Sequence, residues 1–116
     1  MIKNFYKIEP KYDESCHDGE GVIRITDIFH SEGFATKMQF MHYTVLPPST
    51  SIGSHAHGDD EEFYIILEGV GEMEIEGIGH PVCAGDVIKN EPFGTHGLRN
   101  TSDTVELKIL VFEVKR

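Results

Sequence analysis

The 116-residue sequence lacks long apolar runs and is poor in basic residues. Its longest apolar stretches, "FYIIL" and "ILVF", are far shorter than the roughly 20 residues that a membrane-spanning helix needs. The N-terminal stretch "MIKNFYKIEPKYDE" has no apolar segment typical of a signal peptide. There are 10 Lys and Arg against 20 Asp and Glu, which gives a net charge of -10. These features argue against nucleic acid or a membrane as a partner, because anionic surfaces are bound by clusters of Lys and Arg.

Cysteine is scarce as well. Cys16 and Cys83 lie far apart and form no CxxC motif, whereas a disulfide framework needs more cysteines at closer spacing. Free thiols most often pack as small hydrophobic side chains. We therefore predict a reducing, cytoplasmic location and two buried, inert thiols.

Strand signals dominate the rest of the chain. Short runs rich in β-branched and aromatic residues alternate with turn residues every 8–12 positions, and no segment has the periodicity of a long helix. Residues 76–81, "EGIGHP", are predicted to form a hairpin turn. The polar, turn-rich residues 1–20 are predicted to be an N-terminal arm that lies over the barrel, or a mobile terminus. Residues 21–116 are predicted to form a single all-β domain, either a sandwich or a small barrel. The predicted strands are 21–29, 36–46, 62–67, 71–76, 86–90 and 105–114.

The stretch "GSHAHGDDEEFYIILEG" carries a candidate metal site. On a strand, alternate side chains share a face, so His55 and His57 point the same way. An acidic run follows, and the same parity favours Glu62, which shares a face with Tyr64, over Glu61. The other acids are predicted to form a solvated turn: Asp59, Asp60 and Glu61.

A third imidazole must come from elsewhere in the chain. His96 stands out because "GDVIKNEPFGTHGLRN" places it on a strand after a turn rich in Gly and Pro. No partner is predicted for three of the other histidines, which lie in loops or turns. The full set of candidates is His17, His30, His42, His80 and His96.

These residues resemble the motifs of the cupin family. The first motif, G-x5-H-x-H-x(3–4)-E-x6-G, is matched by His55, His57, Glu62 and Gly69, although Ser49 stands where the leading glycine belongs. In the second motif, G-x5-P-x-G-x2-H-x3-N, Gly85, His96 and Asn100 keep their mutual spacing. The internal Pro and Gly of that motif lie one position late.

The resemblance implies a double-stranded β-helix, that is, a jelly-roll barrel. It also implies that His55, His57, Glu62 and His96 bind one divalent transition-metal ion inside the barrel. Imidazole and carboxylate ligands suit Mn, Fe, Ni or Zn, and four protein ligands leave open positions on the ion.

Two classes of function follow from the resemblance. The first is a metal-dependent enzyme of the oxygenase, isomerase or lyase type that acts on a small organic molecule, with Tyr64 and His42 as candidates for acid–base steps. The second is a non-catalytic binding or sensor protein for a small sugar or organic acid. The scarcity of basic residues argues against a sugar phosphate, because phosphate is held by cationic side chains.

A homodimer is also expected. If Glu62 faces the interior, then Phe63, Ile65 and Leu67 form an outer face that is too apolar to be left in water. The last predicted strand, 105–114, is apolar on both faces. A symmetric dimer is the common way to bury such surfaces.

Overall fold

The structure, a computed structural model, describes residues 1–116. It is all-β, as predicted, and contains ten strands and three short 3-10 helices. None of these helices could span a membrane, since each has only three residues. The strands are β1 (Lys11–Glu14), β2 (Val22–His30), β3 (Met38–Leu46), β4 (Ser51–Ala56), β5 (Asp60–Glu68), β6 (Val70–Ile75), β7 (Ile78–Cys83), β8 (Val87–Asn90), β9 (Thr95–Asn100) and β10 (Leu107–Lys115). The 3-10 helices are Phe5–Lys7, Cys16–Asp18 and Ser31–Gly33.

Two antiparallel sheets form the barrel. The larger sheet has the strand order β1-β2-β3-β10-β5-β8 and the smaller has the order β4-β9-β6-β7. One apolar core joins them, with Ile66 and Ile109 from the larger sheet and Met73 and Leu98 from the smaller. Burying an aliphatic side chain of this size contributes about 1.5–3 kcal/mol. The predicted jelly-roll barrel is therefore confirmed, with its core between the sheets.

Strand parity predicts correctly which way β5 faces. Glu62, Tyr64 and Ile66 are buried, whereas Phe63 and Ile65 are only partly buried on the outer face. The Phe63 ring stacks on Phe112 of β10 across that outer face, with the ring centroids 4.9 Å apart. The apolar outer surface expected from the sequence is thus present beside β10.

Strand β3 could not be oriented from its sequence. In the structure Phe40, His42 and Thr44 line the interior, and Tyr43 lies on the opposite side. The ring of Phe5 stacks on Tyr43 with centroids 4.3 Å apart, so the N-terminal segment covers this part of the outer face. The division into an arm (1–20) and a barrel domain (21–116) stays a prediction.

The hairpin after β6 is tighter than predicted. The turn contains only Glu76 and Gly77, both with positive φ (50° and 79°), and Ile78 already pairs with Ile75. Two left-handed residues give the two-residue turn that matches the twist of a hairpin. The prediction of a turn over 76–81 was wrong, because Pro81 is typical of turns but here lies within strand β7. This strand tolerates a proline because it lies at the edge of its sheet.

The two free cysteines differ in environment. Cys16 is buried, as predicted, whereas Cys83, at the end of β7, is exposed. The prediction of a second buried thiol was therefore wrong. An edge strand has only one neighbouring strand to cover its side chains.

Two buried asparagines provide a matched test of the core. Asn100 is 1% exposed, and its Nδ2 donates to the carbonyls of Leu46 and Val105, both at 2.9 Å. Its Oδ1 accepts from the Ser102 amide at 2.9 Å. Asn90 is 4% exposed, and neither of its side-chain polar atoms has a hydrogen-bond partner.

We expect Asn100→Ala to lower the free energy of unfolding by about 3 kcal/mol, because it leaves buried backbone groups without partners. Asn90→Ala should cost about 1 kcal/mol or less, because it breaks no hydrogen bond. Urea unfolding of both variants without added metal measures the difference. Equal losses in the two variants would contradict this account of Asn100.

Candidate metal centre

Four side chains from three strand regions converge at one end of the barrel. His55 lies on β4 and His57 just after it, Glu62 lies on β5, and His96 lies on β9 opposite His55. The imidazole centroids are 4.5 Å apart for His55–His96 and His57–His96, and 4.9 Å apart for His55–His57. One ligand atom from each of the four residues lies within 4.8 Å of the others. The folded chain therefore brings together the residues that the sequence motifs single out.

Glu62 is the electrostatic centre of this cluster. Its Oε1 lies 2.9 Å from His96 Nε2 and 3.5 Å from His57 Nε2. Burial raises the pKa of Glu62, but the hydrogen bond from His96 and the charges of the nearby imidazoles outweigh burial, so its pKa lies below the usual range. The cluster thus contains an ionised carboxylate among imidazoles, which is a donor set that suits a divalent transition ion.

Hydrogen bonds orient two of the imidazoles. His55 Nδ1 lies 2.8 Å from the Gly53 carbonyl, and His57 Nδ1 lies 3.0 Å from Asp60 Oδ1. A ring nitrogen held in this way leaves Nε2 as the free donor to a metal. Burial lowers the pKa of His55 to about 4, so the ring is neutral near pH 7. Neutral imidazole is the form that binds metal ions.

The unpartnered nitrogen of His57 tests whether a metal ion fits the site. His57 Nε2 is buried and has no hydrogen-bond partner. Leaving such a polar atom unsatisfied costs about 1–3 kcal/mol. A divalent ion held by the four residues would satisfy this nitrogen and balance the Glu62 carboxylate. The residues present therefore fit a metal ion.

The prediction that Asp60 lies in a solvated turn is wrong. This residue begins β5, its side chain is only 12% exposed, and it bonds His57. The prediction failed because "GDD" resembles a turn, whereas the strand already begins at its last residue. Glu61 does point outward, with Lys89 Nζ 3.5 Å away, and Asp59 pairs with Arg116.

Glu113 on β10 is a site residue that the sequence reasoning missed. Its Oε1 lies 3.3 Å from His57 Nδ1. Burial first, and then the charges of Asp60 and Glu62, raise the pKa of Glu113 to about 7. The available signal was its parity, because Glu113 continues the inward series of Ile109 and Val111.

A cavity of about 370 Å³ opens beside the four converging residues. Half of the residues that line it are apolar, and none is Lys or Arg. Its acidic lining residues are Asp13, Glu62 and Glu113. The cavity is therefore a small, acidic pocket in which the chain provides no permanent positive charge.

Both candidates for acid–base steps line this cavity. Tyr64 is 2% exposed, and its pKa is raised well above the usual range by burial and by the charge of Glu62. His42 stacks on Phe40, and its Nε2 lies 3.7 Å from Asp27 Oδ1. Burial lowers the pKa of His42 more than Asp27 raises it. Both side chains are uncharged near pH 7 and can contact a molecule bound in the cavity.

Two residues of the N-terminal segment also line the cavity, Cys16 and His17. Burial, and then a hydrogen bond and the charge of Asp13, raise the pKa of Cys16 to about 12, so its sulfur stays a thiol. The His17 ring stacks on His55. His30 also has a partner, since it contacts Asp27. The sequence analysis named no partner for these two histidines, because no motif in the sequence indicated the contacts.

Comparisons with known proteins agree with this fold. The family model described as "Cupin domain" matches residues 42–113. The "Oxalate-binding protein" of Thermotoga maritima is 29% identical over 104 residues, which cover 90% of this chain and 86% of the relative. An uncharacterized protein of Methanocaldococcus jannaschii is 32% identical over 111 residues, which cover 95% of this chain and 83% of the relative.

Solved structures agree as well. A structure described as a predicted oxalate decarboxylase from Thermotoga maritima superposes with a TM-score of 0.96 at 27% identity and covers all of both chains. A Cupin 2 conserved barrel domain protein from Salinispora arenicola has a TM-score of 0.77 at 20% identity over 99% of this chain and 88% of its own, a likeness of fold alone. The family match covers more than half of this sequence. The resemblance seen in the two motifs is confirmed, and the chain belongs to the cupin family.

Proposed function

We propose that this cupin binds one divalent transition ion through His55, His57, Glu62 and His96 and holds a small oxygen-bearing molecule on that ion. The observation that carries the proposal is the buried, unpartnered His57 Nε2 beside the Glu62 carboxylate. Mn, Fe, Ni and Zn all suit imidazole and carboxylate ligands, so the donor set does not identify the ion. When bound, the ion supplies a positive charge and open coordination positions.

The composition of the cavity narrows the class of ligand. Because no Lys or Arg lines it, a carboxylate ligand would have no protein cation to bind. Anion binding must therefore depend on the metal ion. Oxalate, which offers two adjacent carboxylates, is the first ligand to test, and the name of the Thermotoga maritima relative supports that choice.

Turnover is the second candidate function. It is favoured by Tyr64 and His42, which line the cavity. Tyr64 keeps its proton and can donate a hydrogen bond to a bound molecule, and His42, which is neutral near pH 7, can accept a proton from it. A metal-dependent enzyme of the oxygenase, isomerase or lyase type would use these groups. A binding or sensor protein would use them only as hydrogen-bonding contacts. Product formation separates the two functions.

Metal content tests the site directly. We expect the protein purified without chelator to contain about one divalent transition ion per chain, because four convergent donors make one site. His57→Ala should lose most of that metal, whereas His80→Ala should keep it, because His80 is exposed on β7. Elemental analysis by mass spectrometry measures both the identity and the amount of the metal. Unchanged metal content in His57→Ala would rule out the proposed site.

Oxalate binding tests the ligand. We expect titration calorimetry to show oxalate binding to the metal-loaded protein and none to the metal-free protein, because the ion is the only strong cation at the cavity. Assays for formate and carbon dioxide on the same samples detect turnover. Binding without product supports the binding function, and product supports the enzyme. Oxalate binding without metal would contradict the electrostatic argument.

The outer face of β5 and β10 supports a proposed homodimer. Phe63 and Phe112 stack there and are only partly buried in the single chain. We expect sedimentation at micromolar concentration to give twice the mass of the chain. Phe112→Lys should give a monomer, because a charge on this face opposes its burial. Ile78→Lys, an exposed position on β7, is the control. A monomeric unsubstituted protein would contradict the proposal.

A further inference from the structure

The segment 15–21 folds over strand β4 beside the cavity. Its centre is the 3-10 helix Cys16–Asp18, in which Cys16 turns into the core and His17 lies at the cavity mouth. Ser15, His17 and Asp18 all have positive φ, at 55°, 50° and 62°. This left-handed conformation is disfavoured for residues with a Cβ atom and persists only where the surrounding structure enforces it.

Contact with the backbone of β4 enforces this conformation. A Cβ atom on Gly53 would lie 2.0 Å from the His17 carbonyl oxygen, and one on Gly19 would lie 2.2 Å from the Ser51 carbonyl oxygen. The two backbones therefore touch at a pair of glycines. Hydrogen bonds from Ser51 N to the Glu20 carbonyl and from Glu20 N to Ser51 Oγ, both 2.9 Å, fix the approach. The segment is thus a fixed part of the cavity wall.

This approach places the His17 ring on His55. The two imidazoles are stacked with centroids 3.7 Å apart and planes 11° apart. The edge of the His55 ring is held separately, since its Nδ1 lies 2.8 Å from the Gly53 carbonyl. His17 and Gly53 therefore restrain His55 on two sides, and the glycine contact is what brings His17 to the ring.

We infer that His17 is a positioning residue of the metal site, which holds the His55 ring with Nε2 free for the ion and closes one side of the ligand cavity. This inference rests on the proposed metal function. Contacts outside the ligands of a metal site orient those ligands, and their loss typically lowers metal affinity 10- to 100-fold. His17 acts through the face of the ring, so an aromatic ring at position 17 should replace it.

The test uses the full chain and Co²⁺ alone as the probe. We expect His17→Ala to weaken Co²⁺ binding about tenfold and to shift the visible absorption bands of the bound ion. His17→Phe should remain within about threefold of the unsubstituted protein and keep its spectrum, because stacking on His55 is retained. His80→Ala is the matched control. Thermal unfolding without metal identifies any variant that fails to fold.

A second comparison separates positioning from general stability. If His17 acts through His55, then His17→Ala should not weaken the residual Co²⁺ affinity further in a His55→Ala background. A full tenfold loss in that background would overturn the inference, as would unchanged affinity and spectrum in His17→Ala alone. Failure of the unsubstituted protein to bind Co²⁺ would instead contradict the proposed metal function.

Discussion

The hydrogen bond between His96 and Glu62 is the interaction on which the site depends, because it joins the two sheets. Glu62 lies on β5 of the larger sheet and His96 on β9 of the smaller, and both side chains are buried. Two residues further along each strand, Tyr64 follows Glu62 and Leu98 follows His96, and both side chains belong to the apolar core. The apolar core therefore begins directly behind the polar cluster. The packing that stabilises the barrel also fixes the distance between the two candidate ligands.

Charge distinguishes this cavity from a preformed anion site. Asp13, Glu62 and Glu113 line it, and no basic side chain does. A bound divalent ion would be the main positive charge at the cavity, because no Lys or Arg lines it, and it would dominate the local electric field. The acidic side chains of the lining would weaken the binding of an anionic ligand, because like charges repel. The balance between these two effects would decide which small molecules bind to an ion held at this site.

Strand alternation and two motifs predicted much of the site, but not its surroundings. Parity selected Glu62 and placed Tyr64 on the inner face, because side chains alternate strictly along a strand. Glu113 escaped notice because it reaches His57 only through the register of β10 beside β5, where it lies opposite Glu62. His17 escaped notice because its position depends on left-handed residues and a glycine contact with β4. Parity shows only that Glu113 faces inward, and the residues that Glu113 and His17 contact are decided by tertiary packing.

The position of β10 has a consequence for how the site is assembled during folding. Residues 107–115 form the strand that lies between β3 and β5, so the larger sheet cannot be completed without them. Pairings so distant in sequence form slowly, because a long loop must close before the contact is gained. A growing chain would contain His55 and His57 long before the larger sheet, which carries Glu62 on β5, is complete. Selective uptake of an ion would therefore be a property of the folded barrel, because the imidazoles are not held together before β10 has paired with β3 and β5.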